Sequence, residues 1–558
     1  MFKFEFFNDL IKKNGYKTYL EIGVADPGKN FNLIECEIKE GCDPYLDRSG
    51  ADFPKEENYN EGIAYRMTSD EMFRTISQNK KWDMIFIDGY HSEKQSKLDI
   101  VHSMAHLSEN GILLIHDILP REENFCGDKP IHMEWCGNVY RSVLDLDKIG
   151  VKYVTVAEGV DTCIIPYQRL TERDIENYLQ PSEHTYEDYE RDNRSAMRIV
   201  PIDKIFRKIA IYHNSEYLEQ HPMKDSNGKT CFGGTEEWVY GIAEGLAKRC
   251  FDVTVFTDKF PEIEHTFAKY SKRYTDDMFL HYDCALITTD VEVSNQMDAD
   301  VKILLPTCEL FNTSVSGEIF FSTIGFLSEH QQKRFENIYG VQPEWTFRHF
   351  LPCRSWLYEN YANYTKENAM VWSSTPVRGL RFFIERVMPR IRYVFPDFKL
   401  YICGYTKDHY EEDWASYCPG VQSMINANRE ELAELQKKCK IWVYPNMGRS
   451  DSTGFFYETY CITAVENAMA GNAIVCLGGK DGISSTLEGY EGFIDGSIFN
   501  EYDENFTLQY ERVAEAMALQ AIRILSDDEY RISLANNAKK ICEKYTWGEE
   551  LKIIMSQI

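Results

Sequence analysis

The 558-residue sequence contains no uninterrupted run of about 18 apolar residues, so no membrane-spanning helix is expected. Its first ten residues, Met1 to Leu10, break their aromatics with Lys3, Glu5 and Asp9 and lack the apolar core of a signal peptide. The expectation is a cytoplasmic protein. No C-x-x-C pair occurs, and the 16 cysteines are scattered, as at Cys36, Cys250, Cys403 and Cys439, which favours reduced structural thiols over a disulfide scaffold. Basic residues are scarce: Lys and Arg number 61 against 89 Asp and Glu, a net charge of -28. That balance repels nucleic acid and anionic membranes. It still allows a local cationic pocket for a diphosphate, for which one or two Arg or Lys side chains and a few backbone N–H groups suffice.

With 43% hydrophobic and 27% charged residues, the composition is that of folded globular domains. The length allows two to four units. Up to Pro166 short apolar strands (Thr18–Ile22, Trp82–Asp88, Gly111–His116) alternate with amphipathic stretches such as Lys94–Leu107. This βαβ rhythm implies a parallel sheet. Residues 167–204 are charged and Tyr-rich, most acidic around Glu183 to Glu190, and read as a linker with some helix. A second series follows, with a strand at Lys208–Tyr212, a Gly-containing loop, a helix at Glu236–Lys248 and a strand at Asp252–Thr257. A third has a strand at Ala369–Ser373, a helix at Leu380–Val394 and a strand at Lys399–Cys403. Two Rossmann-like halves in succession suggest a cleft between them.

The strongest local pattern runs from Phe456 to Gly471, where seven residues separate Glu458 from Glu466. Glu458 is expected in a loop and Glu466 on the first turns of the Ala-rich helix that follows. Carboxylates accept hydrogen bonds from sugar or ribose hydroxyls on both oxygens, and a helix start favours their charge. Alone, such a pair is more often solvated surface. Its company is more specific: Gly233-Gly234-Thr235-Glu236 before a helix, Ser328-Glu329-His330-Gln331, Ser373-Ser374-Thr375-Pro376-Val377-Arg378-Gly379-Leu380, Cys403-Gly404-Tyr405, Arg429-Glu430-Glu431-Leu432 and Val443-Tyr444-Pro445.

In this order the motifs resemble the glycogen-synthase-like retaining glycosyltransferases of GT-B fold, over roughly Lys208 to Trp547. The resemblance implies that Glu466 holds the donor ribose and Glu458 the donor sugar. Gly233 and Gly234 would let the backbone approach the diphosphate or sugar, and Arg378 would neutralise the departing diphosphate, so that no metal is needed there. The family often has a further cation near Arg378, where this sequence has Ser373, Ser374 and Thr375.

At the other end, Tyr19-Leu20-Glu21-Ile22-Gly23-Val24-Ala25-Asp26 is a strand entering a tight turn, with Gly-x-Ala in place of Gly-x-Gly. Gly41-Cys42-Asp43-Pro44, Thr68-Ser69-Asp70, Ile87-Asp88-Gly89-Tyr90-His91-Ser92, Gly111 to Asp117, and Trp135 to Tyr140 follow. The series resembles a class I S-adenosylmethionine-dependent methyltransferase over about Tyr16–Pro166. By that resemblance Glu21 and Gly23 lie at the methionine end of the cofactor, Asp43 takes the ribose diol, and Ser69 and Asp70 approach the adenine.

Asp88, His91, His116 and Asp117 fall at strand ends, where such sheets place their chemistry. Three assignments stay open for them: a histidine base for an acceptor hydroxyl, a divalent cation held by Asp88 and Asp117 with His116, or plain structural roles.

The reading is therefore α/β. It places a Rossmann-like methyltransferase domain at 1–166, an acidic linker at 167–204 and the two GT-B halves at 205–365 (acceptor side) and 366–558 (donor side), the last helix crossing back. The activity expected is sugar transfer from a nucleotide sugar to a glycan acceptor with retention, joined to O-methylation of a sugar hydroxyl. Two alternatives remain: a catalytically silent methyltransferase-like scaffold, or a non-enzymatic nucleotide- or glycan-binding protein.

Overall fold

The computed structural model describes residues 2–44, 63–127, 129, 135–191, 196–215, 233–261, 266–288, 290, 292–307, 321–339, 346–403, 418–424, 427–447, 449–450, 454–455, 458–479, 481–500 and 506–558. The expected loop after Tyr212, Gly404, Tyr405, Phe456 and Tyr457 lie largely or wholly outside these residues. The chain divides into two compact units, Met1–Arg207 with Gly245–Asp252, and Lys208–Glu244 with Val253–Ile558.

The first unit is built on a seven-stranded sheet. Its strands are β1 (Thr18–Ile22), β2 (Ile38–Cys42), β3 (Ile63–Tyr65), β4 (Trp82–Ile87), β5 (Leu107–His116), β6 (Val154–Val156) and β7 (Thr162–Pro166), in the order β3-β2-β1-β4-β5-β7-β6. β1 to β5 pair in parallel, and β7 runs antiparallel between β5 and β6. Burial of β1 and β4 on both faces explains their continuous apolar text, as in Met84, Ile85 and Phe86. The order reverses between β1 and β4, so the ends of these strands, at Gly23 and Asp88, flank the switch point.

Within 167–204, helices Glu172–Tyr178 and Tyr186–Arg191 place Tyr178 and Tyr189 in the core of this unit, together with Met197. The Tyr-rich composition there serves packing. The acidic residues cluster in the first turns of both helices, where the dipole favours them.

The second unit opens with an all-parallel sheet. β8 (Lys208–Tyr212), β9 (Asp252–Phe256), β10 (Lys269–Ser271), β11 (His281–Thr288), β12 (Asp298–Leu305), β13 (Thr323–Phe326) and β14 (Thr346–Arg348) lie in the order β10-β9-β8-β11-β12-β13-β14. The switch point is between β8 and β11. A second parallel layer follows, with Ala369–Trp372, Lys399–Ile402 and Val421–Ser423 in one sheet and Ile441–Val443 paired to Ala473–Val475. The expected helix at 380–394 is present, interrupted by a π-helical segment at Phe383–Val387 just before Pro389. Proline has no N–H for a helical hydrogen bond and clashes with the preceding turn.

The last helix, Trp547–Gln557, carries the fully buried Glu550, which accepts hydrogen bonds from the Trp238 indole (2.8 Å) and the Phe350 N–H (3.1 Å) and lies 3.1 Å from His349 Nδ1. A buried carboxylate is tolerated because several donors converge on it. No helix among the described residues is long and apolar enough to cross a membrane.

Candidate active sites

In the first unit, Gly23 ends β1 with φ +87°, and an added Cβ would stand 2.2 Å from the Asp88 carbonyl oxygen. Only glycine fits. Its N–H donates to the Cys42 carbonyl (2.9 Å), and two residues on the Ala25 N–H donates to Asp43 Oδ2 (2.8 Å). Ala25 itself adopts φ 47°, a left-handed conformation that costs an L-residue about 1–2 kcal/mol. This is how Gly-x-Ala closes the turn that a second glycine usually makes, and it fixes Asp43 at the end of β2. Glu21 is buried at 2% exposure, its Oε2 accepting from the Tyr19 hydroxyl (2.7 Å) and Asn30 Nδ2 (3.0 Å). Burial pushes its carboxyl up to about 8.

Ser69 and Asp70 open the helix Ser69–Thr75, whose cap is Thr68. Gln95 Nε2 gathers them, donating to Ser69 Oγ (3.3 Å), Asp70 Oδ1 (3.2 Å) and Asp99 Oδ1 (3.1 Å). Burial raises the Asp99 carboxyl to about 6. Neither Gln95 nor Asp99 stood out in the sequence, because both lie inside the helix Glu93–His106 and read there as ordinary polar positions.

The four strand-end residues meet. His116 Nδ1 is 3.1 Å from Asp117 Oδ1 and 3.4 Å from Asp88 Oδ1, and His91 Nε2 is 3.3 Å from Asp117 Oδ2 and 3.7 Å from Asp88 Oδ1. Lys3 reaches Asp88 Oδ2 at 3.1 Å, and His91 stacks on Trp135 and bonds its carbonyl through Nδ1 (3.0 Å). Asp117 sits at φ 57°, which turns its carboxylate back toward the histidines.

Burial alone would lower both imidazoles, but the two carboxylates outweigh it, raising His91 and lifting His116 to about 10. Burial likewise works against the Asp88 charge, and His116, His91 and Lys3 overcome it, holding that carboxyl well below its usual range. Near neutral pH the His116 imidazole is therefore charged and accepts no proton, and the carboxylates bias His91 toward its charged form. One oxygen from each of Asp88 and Asp117 lies within 4.8 Å of the other and of a His116 nitrogen, a hard donor set that suits a divalent cation.

In the second unit the structure pairs Arg378 with Glu458, Nη1 to Oε1 at 3.0 Å, and the Tyr444 hydroxyl donates to the same oxygen. Glu458 is 5% exposed, and its N–H donates to Asp481 Oδ2 (3.2 Å), a carboxyl raised to about 7 by burial and by the Glu458 charge. Tyr444 follows the strand Ile441–Val443, and Asp481 caps the short helix Gly482–Thr486. Ser373 Oγ is buried without a partner among the described residues.

Glu466, on the helix Ile462–Met469, lies 3.6 Å from Arg429 Nη1, and Arg429 and Arg354 both contact Glu237 (2.9 and 3.1 Å). Burial raises the Glu466 carboxyl. At the glycine pair, an added Cβ on Gly234 would meet Leu351 and Ile462 at ordinary distances (3.6 and 3.9 Å), while one on Gly233 would press on the Glu236 carboxylate at 2.7 Å. Glu236 faces His213, which directly follows β8 at the switch point (Nε2 to Oε1, 3.6 Å) and bonds Thr288 at the end of β11 (2.8 Å). Sequence reasoning missed His213; its place just after a strand was the available signal.

Residues 14–118 match the family described as a methyltransferase domain. They form a methyltransferase domain. No curated protein matches the chain. Among solved structures, sucrose-phosphate synthase from Thermosynechococcus elongatus aligns at 14% identity over 63% of this chain and 98% of that one, with a TM-score of 0.46. HepE of Anabaena, solved with UDP and glucose, aligns at 13% identity over 63% and 98% with a TM-score of 0.43. A glycosyltransferase from Rickettsia africae aligns at 11% over 63% and 97%, with a TM-score of 0.44. The match to the methyltransferase domain takes in Glu21, Gly23, Asp43, Asp88, His91, His116 and Asp117. Trp135, which orients His91, lies beyond it.

Proposed function

We propose that the chain joins two enzymes, an O-methyltransferase acting on a sugar hydroxyl and a retaining glycosyltransferase that uses a nucleotide sugar. The observation that carries the second activity is the Arg378–Glu458 pair, a guanidinium beside a carboxylate, with Arg378 closing the short 3-10 helix Pro376–Arg378 and Glu458 just before the helix Ile462–Met469. Arg378 would meet the donor diphosphate while Glu458 orients the transferred sugar. Glu466 would accept from the ribose diol. The buried Ser373 hydroxyl would add a donor to phosphate where relatives carry a cation.

For the first activity, the residues fit S-adenosylmethionine: a glycine turn with no room for a side chain, Asp43 fixed by that turn, and Glu21 buried behind it. When bound, that cofactor supplies an electrophilic methyl group on sulfur. Glu21 would face its ammonium and Asp43 its ribose. Asp88, His116 and Asp117 would hold a divalent cation, which lowers the pKa of a hydroxyl that binds it. With the carboxylates so engaged, they would no longer favour the charged form of His91, and its imidazole would be freer to take the acceptor proton.

A second reading, in which the methyltransferase domain binds its cofactor without turnover, is favoured by the charged state of His116 and by the carboxylates that raise His91. Transfer of labelled methyl from S-adenosylmethionine to the glycosylated product separates the two. Label in a sugar hydroxyl, lost in His91→Ala, supports the proposal, whereas calorimetric cofactor binding with no transfer supports the silent scaffold.

A further inference from the structure

Beside the four strand-end residues of the first unit stands an aromatic wall. Trp135 stacks on His91 (ring centroids 5.1 Å apart, 29° between planes) and meets Tyr90 edge-on (6.1 Å, 65°). The Trp135 indole donates to the Gly127 carbonyl (2.8 Å), and the Phe125 carbonyl accepts from the N–H groups of Cys136 and Gly137 (3.0 and 3.1 Å). Gly137, at φ +63°, packs so closely that an added Cβ would stand 2.1 Å from the His91 carbonyl oxygen, which also accepts from the Asn138 N–H (2.9 Å). Only glycine allows that approach, so the segments carrying Tyr90 and Trp135 are fixed to one another.

Three properties define what the wall takes. First, it is open: Tyr90 is 59% exposed and Trp135 is partly exposed. Aromatic surface left in water is stabilised when a ligand covers it. Second, it adjoins the reactive end of His91. A carbonyl can only accept, so the bond from Nδ1 to the Trp135 oxygen (3.0 Å) places a proton on Nδ1. Nε2, which faces Asp117 and Asp88, is then the atom that exchanges one. Third, rings at 65° form a corner, where a flat aromatic ligand would be gripped best by a parallel-sided slot. A chair-shaped ring fills a corner with its C–H bonds on the electron-rich ring faces, leaving its hydroxyls for the imidazole and carboxylates.

We propose that Tyr90 and Trp135 are the acceptor platform of the methyltransferase domain, stacking on one uncharged pyranose ring and presenting its hydroxyl to His91 Nε2. The proposal rests on the sugar O-methylation reading and adds the residues that select the acceptor.

Fluorine NMR of the full chain labelled with fluorotryptophan tests it, with the Trp135 resonance assigned by its loss in Trp135→Phe. S-adenosylhomocysteine is present to prevent turnover, and the probes are methyl glycosides of glucose, galactose and N-acetylglucosamine, with catechol as a flat comparison. The expected result is a saturable shift of the Trp135 resonance with at least one glycoside. Affinity should fall about tenfold in Tyr90→Ala and be kept in Tyr90→Phe, with the melting temperature unchanged in both because Tyr90 is mostly exposed. A resonance that moves while no labelled methyl reaches a sugar supports the platform and rejects the activity. A resonance unmoved by every glycoside, one moved by catechol alone, or undiminished affinity in Tyr90→Ala would overturn the proposal.

Discussion

The Arg378 guanidinium and the Glu458 carboxylate lie 3.0 Å apart, and the Tyr444 hydroxyl donates to the oxygen they share. The carboxylate is thereby held in one orientation before any substrate arrives. Arginine has five N–H donors in a planar fork, a geometry suited to carboxylate and phosphate that the compact ammonium of lysine does not match.

Arg378→Lys is accordingly expected to lower kcat for donor turnover by about 10²-fold or more with a small change in stability, since the Arg378 side chain is one-third exposed. Steady-state kinetics alongside thermal melting separate the two effects.

Glu21 yields a pH prediction. Its folded pKa of about 8 lies above the ordinary glutamate value of 4.5, so the folded chain binds more protons than the unfolded one between these values, and the cost of keeping this carboxyl buried grows as pH rises from about 4.5 to 8. Glu21→Gln should therefore match the parent in stability at pH 4.5 and exceed it at pH 8.5, by melting temperature. Where the cofactor ammonium pairs with Glu21, binding below pH 8 expels a proton. Calorimetry in buffers of different ionisation enthalpy should then detect proton release in the parent chain and less in the Gln variant.

Gly23→Ala should fail at both levels. A methyl group 2.2 Å from the Asp88 carbonyl oxygen, at φ +87°, forces the turn and β4 apart, at about 3 kcal/mol or more. Chemical denaturation should show that loss, and S-adenosylmethionine binding should disappear with it.

A divalent cation at Asp88, His116 and Asp117 is expected to bind with loss of the His116 proton. Manganese titration followed by electron paramagnetic resonance should show a site that tightens with pH and weakens about 100-fold or more in Asp88→Asn, a change that leaves the size of the side chain intact.

The sequence made the elements legible wherever burial imposed a strict pattern. Thr18–Ile22 and Lys208–Tyr212 were bounded to the residue, because a strand buried on both faces leaves an apolar run with polar ends. Glu458 before a helix and Glu466 within it were equally plain.

Long-range partners were not legible. Gln95 under Ser69, Arg429 beside Glu466, and Asp481 behind Glu458 are brought in by chain crossings of 26, 37 and 23 residues, and local text carries no mark of such pairings. Residues 167–204 were misleading for a different reason. Their charge is on the outer faces of short helices, while Tyr178 and Tyr189 point into the core of the first unit.

The central claim, that the chain cleaves a nucleotide sugar at Glu458 and Glu466, is tested most directly by release of nucleoside diphosphate across a panel of sugar nucleotides, with Glu458→Gln and Glu466→Ala in parallel. The account predicts turnover of one donor, reduced about 10²-fold or more by each substitution. Turnover that survives both substitutions, or no turnover of any donor by a folded chain that binds S-adenosylmethionine, would contradict it.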